Sequence, residues 1–360
     1  MLVAPADNLR PQQRSQEATI HPLQMFLRKH EYPRHESSSG DSKMRRQMKS
    51  LASRGTFLRE VNMAKDHNDE NNDPQSGEIG RRDFVALSVA GIAVTAGWAS
   101  AAALEVAESN VDIKTPDGTS DAAFIYPKSG SHAGVLIWTD AFGLRPAFRE
   151  MAKRLAAEGY SVLVPNPFYR VAKAPVFTDV ANFNFQNPTD RAKLGPLMGS
   201  INAAGAAEKD ATAYIAFLDS QKQVDKAKKI GTQGYCMGGP LIVRTAAALP
   251  NRVGAAASFH GGGLVTANPD SPHLLAPKIK ARMYFGIAAN DDKQQPDAKD
   301  KLKEAFAAAK VPAEIEVYPQ SQHGWCVSDM PAQNGSPIYN KGDADRAWGK
   351  LLALYKAGLS

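Results

Sequence analysis

The chain has 360 residues, with 43 Lys and Arg against 37 Asp and Glu and a formal net charge of +6. The two signs are interspersed, and no block of basic residues carries the interleaved aromatics that follow a phosphate backbone, which argues against nucleic acid as a partner. Residues 104–360 are long enough for an α/β sheet with one large core.

The first part of the chain predicts a leader and an export signal. Residues 1–80 are rich in Arg, Lys, Glu, Asn, Ser and Gln, so they are predicted to be disordered. Residues 81–103 resemble a twin-arginine signal peptide, because the pair Arg81-Arg82 precedes a weakly apolar stretch and an Ala-x-Ala site that ends at Ala103. We therefore expect the twin-arginine export machinery to deliver the protein to the periplasm or the outside.

Two alternatives to this interpretation stay open. Residues 85–103 could just span a bilayer as an uncleaved anchor, although their glycines, serines and alanines favour a cleaved signal. A segment of this length ahead of an export signal is unusual. Translation from Met63 would give a leader of ordinary length.

The remaining chain alternates strands and helices. Strands are predicted near residues 122–127, 134–139, 161–165, 229–235, 253–259, 281–287 and 313–318. Helices are predicted near residues 146–158, 203–221, 237–249, 296–310 and 343–357. Apolar strands without polar alternation predict an α/β fold with a doubly wound, mostly parallel sheet covered on both faces. Residues 166–201 lack clear periodicity, and we expect them to cap the functional site.

Cys236 lies in a Gly-x-Cys-x-Gly sequence between a predicted strand and a predicted helix. This is the spacing of a nucleophile elbow, in which glycines are needed because a Cβ would collide with the neighbouring strand and helix. A cysteine in a glycine-rich turn can also be a small core residue. The strand and helix around it favour a thiol nucleophile.

Candidate partners of this thiol follow later in the chain. A thiolate needs a base and a group that orients the base, and in α/β-hydrolases the chain order is nucleophile, acid, histidine. Asp291 and His323 each follow a predicted strand, in that order. Because the carboxyl ends of parallel strands meet at one edge, we expect Cys236, Asp291 and His323 to come together there.

Several motifs together resemble the dienelactone hydrolase family, a cysteine branch of the α/β-hydrolase superfamily. The resemblance runs from about residue 111 to 359 and rests on the segments 138–144, 155–165, 234–239, 259–262 and 323–325. It implies an α/β-hydrolase fold and a carboxylesterase or lactone hydrolase that uses a Cys-His-Asp catalytic triad, a thioester acyl-enzyme and no metal or organic cofactor. Asp291 corresponds to the family's acid, although the adjacent Asp292 leaves the choice open from the residues alone.

The resemblance also suggests further site residues. The backbone N–H groups of Met237 and Ala141 are expected to form the oxyanion hole. Asp140 stands where the family often has a thiol-activating glutamate, one methylene longer. The arginine that dienelactone-cleaving members place four residues after the histidine is replaced by Val327, so dienelactone itself is a poor candidate substrate.

Three side chains are candidate substrate contacts, namely Arg170 and Arg191 as cations and Trp325 beside the histidine. His260 has no second His or Cys at ligand spacing, so a structural histidine is favoured over a metal ligand.

The two cysteines carry the main rival hypothesis. An exported protein with only Cys236 and Cys326 would ordinarily be expected to contain one disulfide. A Cys236–Cys326 bond would block the nucleophile and leave a redox-gated enzyme or a non-catalytic binding protein on a hydrolase fold. The sequence does not identify the substrate, the pathway or the oligomeric state.

Overall fold

The computed structural model describes residues 103–333 and 335–360. The predicted leader over residues 1–80, the alternative start at Met63 and the predicted export signal, apart from its last residue, lie outside the described residues. Within the described part of the chain, no helix is both long and apolar enough to cross a bilayer.

The described residues form eight strands and seven α-helices. The strands are β1 (Val106–Thr115), β2 (Gly118–Pro127), β3 (Ala133–Trp138), β4 (Tyr160–Pro165), β5 (Ile230–Tyr235), β6 (Val253–Phe259), β7 (Arg282–Ala288) and β8 (Ala313–Tyr318). The helices are α1 (Pro146–Ala157), α2 (Pro188–Ile201), α3 (Ala206–Ser220), α4 (Gly238–Ala248), α5 (Ala289–Gln294), α6 (Ala298–Ala308) and α7 (Lys341–Gly358), and a 3₁₀ helix covers Pro272–Lys278.

The strands form one sheet in the order β1-β2-β4-β3-β5-β6-β7-β8. Strand β2 runs antiparallel to both of its neighbours, β1 and β4. The other pairings in the sheet are parallel and join six strands, β4, β3, β5, β6, β7 and β8. This confirms the predicted mostly parallel, doubly wound sheet. β1 was absent from the prediction because its residues alternate between exposed and half-buried at the sheet edge and carry few apolar side chains.

Strand β3 shows how the sheet builds a core on each face. Val135 and Ile137 belong to the apolar cluster that includes α1 and α7, whereas Leu136 and Trp138 belong to the cluster on the other face, which includes α3, α4 and α6. Because successive side chains of a strand point to opposite faces, both faces need apolar residues. This explains the uninterrupted apolar run that predicted the strand.

The segment between β4 and α3 contains a helix that the sequence pattern did not predict. Helix α2 begins after Asn187, whose side chain accepts the N–H of Thr189 at 2.8 Å, and it contains Gly195, Pro196 and Gly199. Glycine and proline are poor helix formers, and they obscure the apolar period of α2.

The irregular stretch before α2 packs on the loop that follows β3. The rings of Phe177 and Phe183 lie 5.4 and 5.0 Å from the ring of Phe142. This stretch therefore covers the sheet at the carboxyl end of β3.

Candidate active site

Cys236 occupies a strained turn between β5 and α4, with φ of 52°. A positive φ is uncommon for a residue with a Cβ and is typical of a nucleophile elbow. A Cβ added at Gly234 would lie 2.1 Å from the carbonyl oxygen of Gly238, and one added at Gly238 would lie 2.4 Å from that of Trp138. Both contacts are too short for any side chain, so the glycines allow the turn to pack against the end of β3.

His260, directly after β6, supports this turn from beneath. Its Nδ1 accepts the backbone N–H of Cys236 at 3.1 Å, so Nε2 carries the proton of a neutral ring. Burial, assisted by the nearby His323, lowers the pKa of His260 well below its usual value. The His260 ring lies 4.8 Å from that of His323 and 5.2 Å from that of Trp325. It is therefore a neutral packing partner of the elbow, which agrees with the structural role that the sequence favoured for His260.

Asp291 and His323 meet at the carboxyl ends of β7 and β8. His323 Nδ1 lies 2.8 and 3.0 Å from the two carboxylate oxygens of Asp291, and the His323 backbone N–H donates to the Asn290 side chain at 2.8 Å. Asp292 instead pairs with Lys299 at 2.7 Å. Asp291 is thus the carboxylate that can orient the His323 ring.

His323 is placed to hold a positive charge next to the thiol. Burial lowers the pKa of His323, but the Cys236 sulfur and the Asp291 carboxylate together raise it well above its usual value. A raised pKa favours the imidazolium, which in turn stabilises a nearby thiolate. The arrangement can therefore generate a nucleophilic sulfur.

Two backbone N–H groups near the elbow are available for an oxyanion. Met237 lies just before α4, and Ala141 lies in the turn after β3, where Asp140 accepts the N–H groups of Phe142 and Gly143 at 2.9 and 3.0 Å. Among the described residues, the N–H groups of Met237 and Ala141 donate to no protein acceptor. Free donors beside a nucleophile are what an oxyanion hole requires.

Asp140 does not lie free beside the thiol. Its two carboxylate oxygens accept hydrogen bonds from Arg145 at 2.6 and 2.9 Å, and its side chain is buried. The suggested role of Asp140 in activating the thiol therefore finds no support in this geometry, because both oxygens are already paired.

Two of the three predicted substrate contacts, Arg170 and Trp325, are not available to a substrate. Arg170 donates to Asp210 and Asp117 at 2.7 to 2.8 Å, so its charge is neutralised within the protein. Trp325 is fully buried and stacks on Tyr318 at 4.7 Å, so it supports the site from below and cannot touch a substrate.

Arg191, the third candidate, lies half-buried in α2 and forms no ion pair within the described residues. Val327, at the position of the family arginine, is fully buried.

The two cysteines are free and point into different cores. Cys236 packs against the cluster that includes α4, whereas Cys326 packs against the one that includes α1 and α7. The rival hypothesis of a Cys236–Cys326 disulfide is therefore wrong for this structure, in which both thiols are free. Burial raises the pKa of the Cys326 thiol well above its usual value, which keeps it protonated and unreactive.

Groups of three or more His, Cys, Asp and Glu side chains that could hold a metal ion are not found in residues 103–333 and 335–360.

Comparison with known proteins places this site in a family. Residues 121–359 match the model of the dienelactone hydrolase family. The carboxymethylenebutenolidase of Rhodococcus opacus is 28% identical over 219 residues, which cover 59% of this chain and 78% of that protein.

Two solved structures are also similar. A dienelactone hydrolase-like promiscuous phosphotriesterase from metagenomic libraries aligns with a TM-score of 0.58 and 22% identity, over 71% of this chain and 99% of that one. The Pyrococcus horikoshii acylaminoacyl peptidase aligns with a TM-score of 0.51 and 15% identity, over 71% of this chain and 42% of that one. These likenesses show the fold, an α/β-hydrolase fold. Because the family match covers well over half of the chain, the protein belongs to the dienelactone hydrolase family and is a hydrolase of that type.

Proposed function

We propose that this protein hydrolyses a carboxylic ester or lactone, with Cys236 as nucleophile, His323 as general acid and base, and Asp291 as the group that orients His323. The observation that carries the proposal is the pairing of His323 Nδ1 with both Asp291 oxygens at 2.8 and 3.0 Å. This pairing occupies one ring nitrogen and leaves Nε2 to exchange a proton with the thiol. The strained φ of 52° at Cys236 supports the same assignment.

The first half of the reaction acylates the enzyme. The Cys236 thiolate attacks the carbonyl carbon, and the carbonyl electron pair moves to oxygen, where the N–H groups of Met237 and Ala141 receive the negative charge. When the carbon–oxygen double bond re-forms, the alkoxide leaves and takes the Nε2 proton of the His323 imidazolium. A thioester on Cys236 remains.

The second half releases the acid and restores the Cys236 thiolate and the His323 imidazolium. His323 Nε2 accepts a proton from water while the water oxygen attacks the thioester carbonyl. Collapse of the second tetrahedral intermediate breaks the carbon–sulfur bond and returns the electron pair to Cys236. Asp291 stabilises the imidazolium in both halves and transfers no proton itself.

The substrate is proposed to lack the carboxylate that a dienelactone carries. The Rhodococcus opacus relative is named a carboxymethylenebutenolidase, a name that implies a carboxylate on its substrate. Here Arg170 is neutralised by Asp210 and Asp117, and the side chain at position 327 is a buried valine. A substrate carboxylate would have neither of these positions as a partner, which favours neutral esters and lactones. Of the candidate cations, Arg191 alone forms no ion pair within the described residues.

A pair of cysteine variants tests the function. Cys236→Ala should abolish hydrolysis of a panel of p-nitrophenyl esters and lactones, because the sulfur that forms the thioester is gone. Cys326→Ala is the matched control, since that thiol is half-buried against the other core and takes no part in the proposed reaction. Circular dichroism should report the same fold for both variants. Turnover by Cys236→Ala within a few-fold of the wild-type rate would refute the proposed mechanism.

The alternative of a non-catalytic or redox-gated protein with a Cys236–Cys326 disulfide has no observation in its favour, because both thiols are free.

A further inference from the structure

Arg145 is a buried cation in which every donor is used. Its Nη1 donates to Asp140 Oδ1 at 2.6 Å and to the carbonyl oxygen of Gly143 at 3.3 Å, and its Nη2 donates to Asp140 Oδ2 at 2.9 Å and Asp329 Oδ1 at 2.7 Å. Its Nε donates to Asp329 Oδ2 at 2.8 Å. The five N–H bonds of the guanidinium thus meet five acceptors. Bidentate pairs of this kind are strong and fix geometry as well as charge.

The apolar surroundings strengthen this ion cluster. The guanidinium carbon lies 5.4 Å from the ring centre of Phe142 and 5.0 Å from that of Phe148. Rings at this distance attract the cation and exclude water from it. Burial disfavours the charged form, but Asp140 and Asp329 together raise the pKa of Arg145, so it stays charged at every accessible pH.

The cluster joins two loops that are far apart in the chain. Asp140 and Arg145 flank the turn after β3 that carries the Ala141 N–H, and Asp140 shapes this turn by accepting the N–H of Phe142 at 2.9 Å. Asp329 lies 184 positions after Arg145, in the loop that follows His323. One guanidinium therefore connects the oxyanion turn to the histidine loop.

We propose that Arg145, held by Asp140 and Asp329, is a positioning residue that keeps the oxyanion turn and the histidine loop in register. This inference rests on the proposed function, because it needs Ala141 as an oxyanion donor and His323 as the base. It also gives Asp140 a role through Arg145 in place of direct action on the thiol. A displacement of about 1 Å between reacting groups can cost about a hundred-fold in rate, so a fixed distance between the two loops matters in the transition state.

Asp329 offers the cleanest test, because its side chain is 35% exposed and Asp140 still pairs with Arg145 when Asp329 is replaced. Asp329→Ala should lower kcat for a p-nitrophenyl ester by about ten-fold to a hundred-fold, with KM within about two-fold of wild type. Asp329→Asn keeps an oxygen acceptor for Arg145 and should restore part of kcat. A split between kcat and KM at unchanged melting temperature is a readout that general destabilisation would not produce.

Asp345 provides the matched control. It lies in α7, is 41% exposed, and pairs with Arg154 of α1 at 3.3 Å and with Lys341 at 2.5 Å. It forms no hydrogen bond with either loop within the described residues. Asp345→Ala should leave kcat unchanged. An Asp329→Ala enzyme with wild-type kcat, or an equal fall in kcat for both alanine variants, would overturn the inference.

Cys236→Ala, measured in the same assay, distinguishes the positioning role of Arg145 from the proposed function. Loss of turnover in Cys236→Ala together with wild-type kcat in Asp329→Ala would overturn the positioning role alone. Turnover retained by Cys236→Ala would overturn the proposed function as well.

Discussion

The pair Asp291 and Asp292 allows a test in which neighbouring carboxylates should behave differently. Asp291→Asn removes the charge that faces His323 Nδ1 at 2.8 Å but retains an oxygen that can accept a hydrogen bond. The side chains of Asp291 and His323 are 17% and 25% exposed, so an effective dielectric constant near that of a protein surface applies to their interaction. Two unit charges about 4 Å apart then interact by about 4 kcal/mol, which corresponds to about a thousand-fold in rate if the imidazolium develops fully.

The pH dependence should change in a direction that the structure determines. In the wild-type enzyme the Asp291 charge helps to raise the pKa of His323, whereas burial lowers it. Asp291→Asn removes a raising influence and leaves the lowering one, so the imidazolium should lose its proton at lower pH. The descending alkaline limb of the pH–rate profile should therefore move toward lower pH in Asp291→Asn.

The assay is kcat/KM on a neutral p-nitrophenyl ester across pH, with thermal unfolding as a check of folding. Asp292→Asn is the control, because Asp292 pairs with Lys299 at 2.7 Å near the surface, and such pairs contribute about 1 kcal/mol or less to stability. It should change neither rate nor profile. If Asp291→Asn lost less than about ten-fold in rate, or if Asp292→Asn lost more, the orienting role of Asp291 would be refuted.

Two further predictions concern the elbow and the second cysteine. Gly238→Ala would place a Cβ 2.4 Å from the Trp138 carbonyl oxygen, so it should lower stability by about 1–3 kcal/mol and lower turnover; a Cβ at Gly262 has nothing within 4 Å, so Gly262→Ala should cost less than about 0.5 kcal/mol in a denaturant titration. Equal effects of the two glycine variants would argue against close packing at the elbow. Iodoacetamide near neutral pH should label Cys236 at least about ten-fold faster than Cys326, because burial raises the pKa of the Cys326 thiol; peptide mapping measures both rates, and equal labelling would contradict this account.

Most of the sheet could be predicted because its strands are buried on both faces. Strand β3 has all six residues buried, and such apolar runs are visible without any knowledge of the fold. Strand β1 and helix α2 were not predicted, for opposite reasons. β1 lies at the edge and needs few apolar residues, whereas α2 buries apolar residues but interrupts its own periodicity with Pro196 and two glycines.

The position of Asp291 shows where local patterns become insufficient. The sequence pattern predicted no helix between the strand near residues 281–287 and the helix near 296–310, but the structure has the short helix α5 there, with Asp291 and Asp292 in its first turn. A helix of six residues is too short for its periodicity to be detected. On a helix, adjacent residues point in different directions, and this is why Asp291 reaches His323 while Asp292 reaches Lys299.

Charge pairing was the least predictable part of the site, and the arginines show why. Arg145 and Arg170 each lie in the segment that follows a strand, and each pairs with a carboxylate from a distant part of the chain, Asp329 and Asp210. Whether an arginine is available to a substrate depends on those tertiary partners, and a partner 184 positions away leaves no mark on the local pattern. Motif spacing locates the backbone of the elbow because the glycines are needed locally, at Gly234 and Gly238. It cannot tell which charges are already paired, and for this reason the substrate's own charge has to be tested directly, by comparing neutral esters with their carboxylate-bearing counterparts.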